Sequence, residues 1–197
     1  MAILWKPIPG ETPIDDLSQL KIKGIRSRAD LNVAEARNLL EAAIKYLAAK
    51  PSHRLAPFTA TWTKQLHREM LGHVWGWAGS FCTTQTNIGV PVPLIETNLH
   101  NLLNDLKQWP SSDMPWPEQA ARLHHRAVAI HPFANGNGRW ARMLANVWLK
   151  QHDQPITQWP SDLNDQTKIR QQYLKAIRRS DTHDLEPLIA LHRRFSD

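Results

Sequence analysis

The chain has a single cysteine, Cys82. That excludes an internal disulfide and fits a reducing compartment. No apolar run is long enough to cross a bilayer, and the opening MAILWKPIPGETP lacks the basic segment and apolar core of a signal peptide. These absences predict a soluble, cytoplasmic protein with no membrane partner. Repeats, low-complexity tracts, zinc-finger spacing and RNA-recognition signatures are missing as well.

Tryptophan, by contrast, is plentiful. Nine indoles in a chain that is 42% hydrophobic supply bulky material for a core, and 197 residues suit one domain with a short extension. The net charge is +6, compatible with nucleic acid, nucleotide phosphates or an acidic protein. The basic clusters are short: Lys21, Lys23, Arg26 and Arg28 near the start, Arg178, Arg179, Arg193 and Arg194 near the end. No stacking aromatics interleave them. Solvated helix faces account for them, so nucleic acid is not the expected partner.

Residues 1–26 read as an extended arm and 27–197 as one mainly helical domain. Helical periods run through LNVAEARNLLEAAIKYLAAK, FTATWTKQLHREMLGHVWGW and IETNLHNLLNDLKQW, the last with Leu99, Leu102, Leu103, Leu106 and Trp109 on one stripe. After the break PSSDMPWP come EQAARLHHRAVAI, RWARMLANVWLK, DQTKIRQQYLKAI and LEPLIALHRRF. Between the second and third helices, GSFCTTQTNIGVPVP is Thr-rich and contains Gly89. It predicts a small β-hairpin or extended flap.

The chemistry concentrates in HPFANGNGRWAR, residues 131–142. At ~100° per residue, Trp140, Leu144, Val147 and Trp148 share one face of the following helix, with Arg139 and Arg142 nearly opposite. Both arginines then leave the first turn, where unpaired N–H groups and the helix dipole already favour an anion. Gly136 and Gly138 let the backbone approach a ligand and turn N–H groups inward as an anion nest. The Lys-Ser/Thr ending of a Walker loop is absent. His131, held extended by Pro132, is suited to take a proton from a hydroxyl. Each part also has an ordinary structural reading: Gly and Asn as caps, His as packing, arginines as solvated charge. Their coincidence at one helix terminus favours a phosphate site. A zinc site from His124, His125 and His131 is disfavoured, since His124 and His125 point ~100° apart and no acid completes the set.

These residues resemble the signature of the Fic (Fic/Doc) family, H-P-F-x-[D/E]-G-N-G-R-x-x-R. The likeness extends through LHREMLGHVWGWAG, TTQTNIGVP and RQQYLKAIRRSDTHDLEPLIALHRRF, from about residue 57 onward. The wording WGWAGSFCTTQTNIGV is similar to the branch called mobile mystery protein B. The resemblance implies a Fic helical core with a small β-hairpin flap, and transfer of AMP from ATP to a Ser, Thr or Tyr hydroxyl of a target protein, with Mg²⁺ as cofactor. By position it makes His131 the general base and Phe133 a core anchor. Gly136, Asn137 and Gly138 cradle phosphates, with Arg139 and Arg142 adding charge; Asn137, Arg139 and Arg142 count with His131 as catalytic. The flap residues Thr84, Thr86, Asn87, Ile88, Gly89 and Val90 would dock the target by strand addition.

This chain departs from the signature at Asn135, where the family has a metal-binding Asp or Glu. An amide carbonyl brings magnesium no charge. The alternative reading is therefore a nucleotide-binding module with weak or altered transfer, through another donor or phosphoryl transfer. The family's inhibitory pattern [S/T]-x-x-x-E-[G/N] is matched only by Thr182 to Glu186, and Pro187 follows in place of Gly or Asn. An acid in the first turn of the last helix explains Glu186 equally well. The expectation is that any inhibitor is a separate, antitoxin-like protein. Arg170 and Tyr173 are set beside the base pocket by their place in the late helices, against a plain reading as a solvated Arg and a packed Tyr.

Overall fold

The computed structural model describes residues 17–86, 88–164 and 167–196. Seven α-helices follow in chain order: α1 (Arg28–Leu47), α2 (Ala60–Leu71), α3 (Ile95–Leu106), α4 (Trp116–Ile130), α5 (Asn137–Gln151), α6 (Lys168–Ser180) and α7 (Glu186–Arg194). Their starts obey side-chain chemistry. Ser27 and Asp30 form a reciprocal capping box on α1, while Thr59 and Thr167 accept N–H bonds at the heads of α2 and α6.

Helix α5 lies at the centre, against α4, α1 and α2. Its predicted apolar face is buried: Trp140, Leu144 and Val147 are inaccessible, and the Trp140 indole N–H donates to the Thr63 carbonyl at 3.1 Å. A second apolar cluster joins α6, α7 and Ala121 of α4 around Tyr173, Leu188 and Ile189. Helix α4 thus belongs to both clusters, and its C-terminus points the chain into the gap between α5 and α6.

The expected hairpin between α2 and α3 is not formed among the described residues. Only isolated bridges occur, Phe81 with Phe133 among them. The segment pairs with the loop after α4 instead of with itself: Cys82 N–H donates to Pro132 O (2.9 Å) and Val90 N–H to Ile130 O (3.3 Å). Pro91 and Pro93 remove donors that a returning strand would need. Asn87 and residues 1–16 of the arm lie outside the described residues. The rest of the arm docks on residues 72–76, with Lys21 N–H on Val74 O at 2.9 Å and Lys21 Nζ on Gly72 O at 2.7 Å.

Trp140→Ala should destabilise the protein by about 3–5 kcal/mol, the range for an aromatic removed from a packed core. Urea unfolding measures it; a loss below about 1 kcal/mol would contradict the central place given to α5.

Candidate active site

Helix α4 ends at His131. A residue before proline is pushed out of the right-handed helical region, which predicts an extended His131. The structure corrects this: His131 is left-handed, φ 52° and ψ 55°, its N–H still bonded to Ala127 O at 3.3 Å. A left-handed C-cap closes the helix and is costly for a residue with a Cβ, of order 1–3 kcal/mol. Its imidazole sits under the flap. Burial holds its pKa below the ordinary histidine range, and the Val128 carbonyl opposes the shift. At neutral pH the ring is therefore uncharged and able to accept a proton.

The loop that follows is braced from within. The Asn137 side chain accepts from the Phe133 N–H (3.0 Å) and donates to the Phe133 carbonyl (2.7 Å). Its amide is thus turned into the core, away from any ligand. What Asn137 offers the cavity is backbone. The Phe133 ring stacks on His67, centroids 3.7 Å apart. His67 Nδ1 accepts from Gly79 N–H (2.9 Å), so the ring proton lies on Nε2 and donates to the Asn135 carbonyl (3.0 Å). Burial lowers the His67 pKa to about 3. Gly136 is left-handed, at φ 78°, and a Cβ there would fall 2.5 Å from Leu71 Cδ1, so a side chain would be strained and would have to displace the leucine.

In front of the loop lies a cavity of about 400 Å³, lined by His131, Gly138, Arg139, Arg142, Arg170 and Tyr173, with Arg178 and Asp181 also on its wall. No side chain caps α5, so its first N–H groups are presented there by the backbone. Arg142 is only 9% exposed and lies 5.4 Å over the Tyr173 ring. Burial pushes its pKa down, Tyr173 opposes this, and Arg139 and Arg170 push it down further. Arg139 Nη1 donates to Glu35 Oε2 at 2.6 Å. Arg170 is buried, its Nη1 donating to Leu163 O at 3.0 Å, so the solvated reading of this residue is wrong. Four arginines around one small cavity make a positive field suited to a polyphosphate.

The wall under Tyr173 is polar and buried. Tyr173 Oη is hydrogen-bonded to His124 Nε2 (3.0 Å), His124 Nδ1 to His192 Nε2 (3.1 Å), and His192 Nδ1 to Thr157 Oγ1 (2.7 Å). His125 instead donates through Nε2 to Asp181 Oδ1 at 2.8 Å. Glu186 pairs with Arg193 at 3.2 Å, on the exterior, and not with a motif arginine.

Asn135 Oδ1 accepts from Gly136 N–H at 2.6 Å. Among the described residues no group of three or more His, Cys, Asp or Glu could hold a metal ion. The residues present do not fit a resident magnesium ion: the expected ligand is an uncharged amide oxygen already engaged by its own loop.

Residues 57–149 match the Fic/DOC family. The chain carries a Fic/DOC domain. It is 30% identical over 155 residues to a protein adenylyltransferase Fic of Aedes aegypti, a match that takes in 76% of this chain and 30% of that protein. It therefore spans under a third of that curated relative. Among solved structures, a fragment of Fic-1 from C. elegans superposes with a TM-score of 0.71 at 22% identity, over 88% of this chain and 51% of that one. BepC from Bartonella tribocorum, solved with bound AMPPNP, superposes at 0.66 with 18% identity, over 92% and 97%. These two likenesses are of fold, and they agree with the mainly helical Fic core implied by residues 131–142.

Two outcomes follow for this Fic domain. Gly89 has φ 105°, and a Cβ there would lie 2.6 Å from that of His131. Gly89→Ala should therefore displace the flap or the histidine, visible as altered exchange protection of the amides of residues 82–90 with the core unchanged. Unaltered protection would contradict that packing. The second concerns acid stability. Burial pushes His67 and His192 down to about 3 in the fold, and His124 well below the ordinary histidine range. Their folded pKa values are depressed, so the stability of the neutral rings is complete above pH ~6.5 and lost as pH falls toward 3, by up to ~1.4 kcal/mol per pH unit for each ring. Urea midpoints between pH 7 and 4 should fall steeply; a flat profile would contradict buried neutral histidines.

Proposed function

We propose that the chain is a Fic-type protein adenylyltransferase, moving AMP from ATP to a Ser, Thr or Tyr hydroxyl of another protein. The observation that carries this reading is the cavity itself. A half-buried, uncharged His131 stands at one side, and the head of α5 with Arg139, Arg142 and Arg170 at the other. The name of the Aedes relative adds support, as does the nucleotide analogue in BepC.

In this reading the backbone at Gly136, Asn137 and Gly138 and the arginine side chains hold the triphosphate, and the target hydroxyl enters beside His131. The hydroxyl oxygen forms a bond to the α-phosphorus while His131 takes its proton. The bond from that phosphorus to the β-bridging oxygen breaks, and pyrophosphate leaves with the charge that the arginines stabilise. Magnesium would arrive on the nucleotide's own phosphates, since Asn135 supplies no charge. Ile88 lines the cavity and a Cβ on Gly89 would meet His131, and in this reading Thr84, Thr86, Ile88, Gly89 and Val90 would receive the target as an added strand. Inhibition by a separate antitoxin-like protein belongs to the same reading.

A second reading is favoured by one observation: Asn135, which lines the cavity where a metal-binding acid is expected, offers an uncharged amide oxygen that already accepts from Gly136 N–H. The chain would then bind ATP and transfer slowly. Asn135→Asp should raise turnover in that case and leave it unchanged otherwise.

Incubation with ATP labelled at the α-phosphate should label a protein in cell lysate, and His131→Ala should abolish that label. Label from the γ-position would mean phosphoryl transfer instead. Because the His131 pKa is lowered from 6.5 and a base must be unprotonated, the acid limb of the rate profile should lie below pH 6.5. A limb above pH 7 would exclude His131 as the base.

A further inference from the structure

Arg139 reaches the cavity from α5, yet its guanidinium is met from behind by α1, which precedes the segment that matches the family. Glu35 is 2% exposed and lies on the buried stripe of α1 with Leu31, Asn38, Ala42 and Tyr46. Its Oε2 accepts from Arg139 Nη1 at 2.6 Å, and its Oε1 accepts from the Trp75 indole N–H at 2.7 Å. Trp75 is itself buried and stacked on Trp77, centroids 5.2 Å apart. The carboxylate is therefore locked at both oxygens.

The guanidinium is divided between two sides. Nη1 faces Glu35, whereas Nη2 stands 3.8 Å from where a Cβ on Gly136 would be, against the loop. Glu35 does not line the cavity, although Arg139 does. A ligand and the acid thus meet different edges of one planar fork. The acid also has an electrostatic effect. Arg139 raises the cost of keeping Arg142 charged, and a buried anion next to Arg139 offsets that repulsion. An acid placed to compete with the ligand would instead stand in the cavity and be free to withdraw.

We propose that Glu35 is a positioning residue of the nucleotide site, holding Arg139 so that its outer edge meets a phosphate. This deepens the adenylyltransferase reading and rests on Arg139 binding nucleotide phosphate.

The test is a double-mutant cycle on the purified full chain, read as the Kd for ATP by calorimetry, with circular dichroism to check each fold. Glu35→Ala should weaken ATP binding about tenfold or more, as loss of a charge-assisted contact would. Arg139→Ala should also weaken it, and the double variant should be no weaker than Arg139→Ala alone. If Glu35→Ala does not fold, Glu35→Gln and Trp75→Phe each remove one anchor and should weaken binding several-fold. Unchanged binding in the folded variants would overturn the proposal. So would tighter binding, the mark of a competitor, or additive losses, the mark of a general structural role. A wild type that binds no ATP would instead overturn the nucleotide reading on which this one stands.

Discussion

Two hydrogen bonds between the Asn137 amide and the backbone of Phe133 turn the chain after α4 into a fixed strap, and the site depends on them. With its side chain spent inward, Asn137 leaves the head of α5 to be presented by backbone alone. Phe133 is drawn into the core against His67 and Trp140, and His67 fastens the Asn135 carbonyl from behind. The Asn137–Phe133 bonds are buried, where a hydrogen bond left unmade is costly. The loop is therefore preorganised before any ligand arrives, which is how a positioning enzyme lowers its barrier.

The second constraint is charge. Arg139, Arg142 and Arg170 stand around one small cavity, and burial already disfavours the charged form of Arg142. The protein offsets this with a carboxylate on Arg139, a tyrosine face and hydroxyl at Arg142, and a carbonyl on Arg170. Field enough for a polyphosphate remains, while the fold is spared a bare cluster of like charges.

Much of this was legible in the sequence. The seven helices follow from apolar spacing, most within a few residues of their true ends, though the second was read to Trp77 and α2 stops at Leu71. His131, Gly136, Arg139 and Arg142 were visible because they are contiguous and sit at a helix head. Glu35 and His67 were not, because their partners lie 104 and 68 residues away. Glu35 did leave a trace, an acid within the apolar stripe of α1, which a packed core tolerates only with a partner. The buried histidines under Tyr173 were not legible as a chain, because their linkage needs α4, α6 and α7 together. Of the hairpin or extended flap expected, no hairpin forms among the described residues: Thr-rich composition signals an extended chain and not its partner, which is the segment at residues 130–133. His131 was misread for a related reason: the rule before proline excludes the right-handed helix but does not choose between extended and left-handed.

The central claim is that the loop of residues 131–138 is a preformed phosphate cradle. A crystal structure of the chain with a non-hydrolysable ATP analogue tests it most directly. The account predicts the phosphates at the head of α5, within hydrogen-bonding distance of the Gly136–Gly138 backbone and the Arg142 guanidinium, with the Asn137–Phe133 bonds intact. A nucleotide bound elsewhere, or a loop that refolds to receive it, would contradict the account.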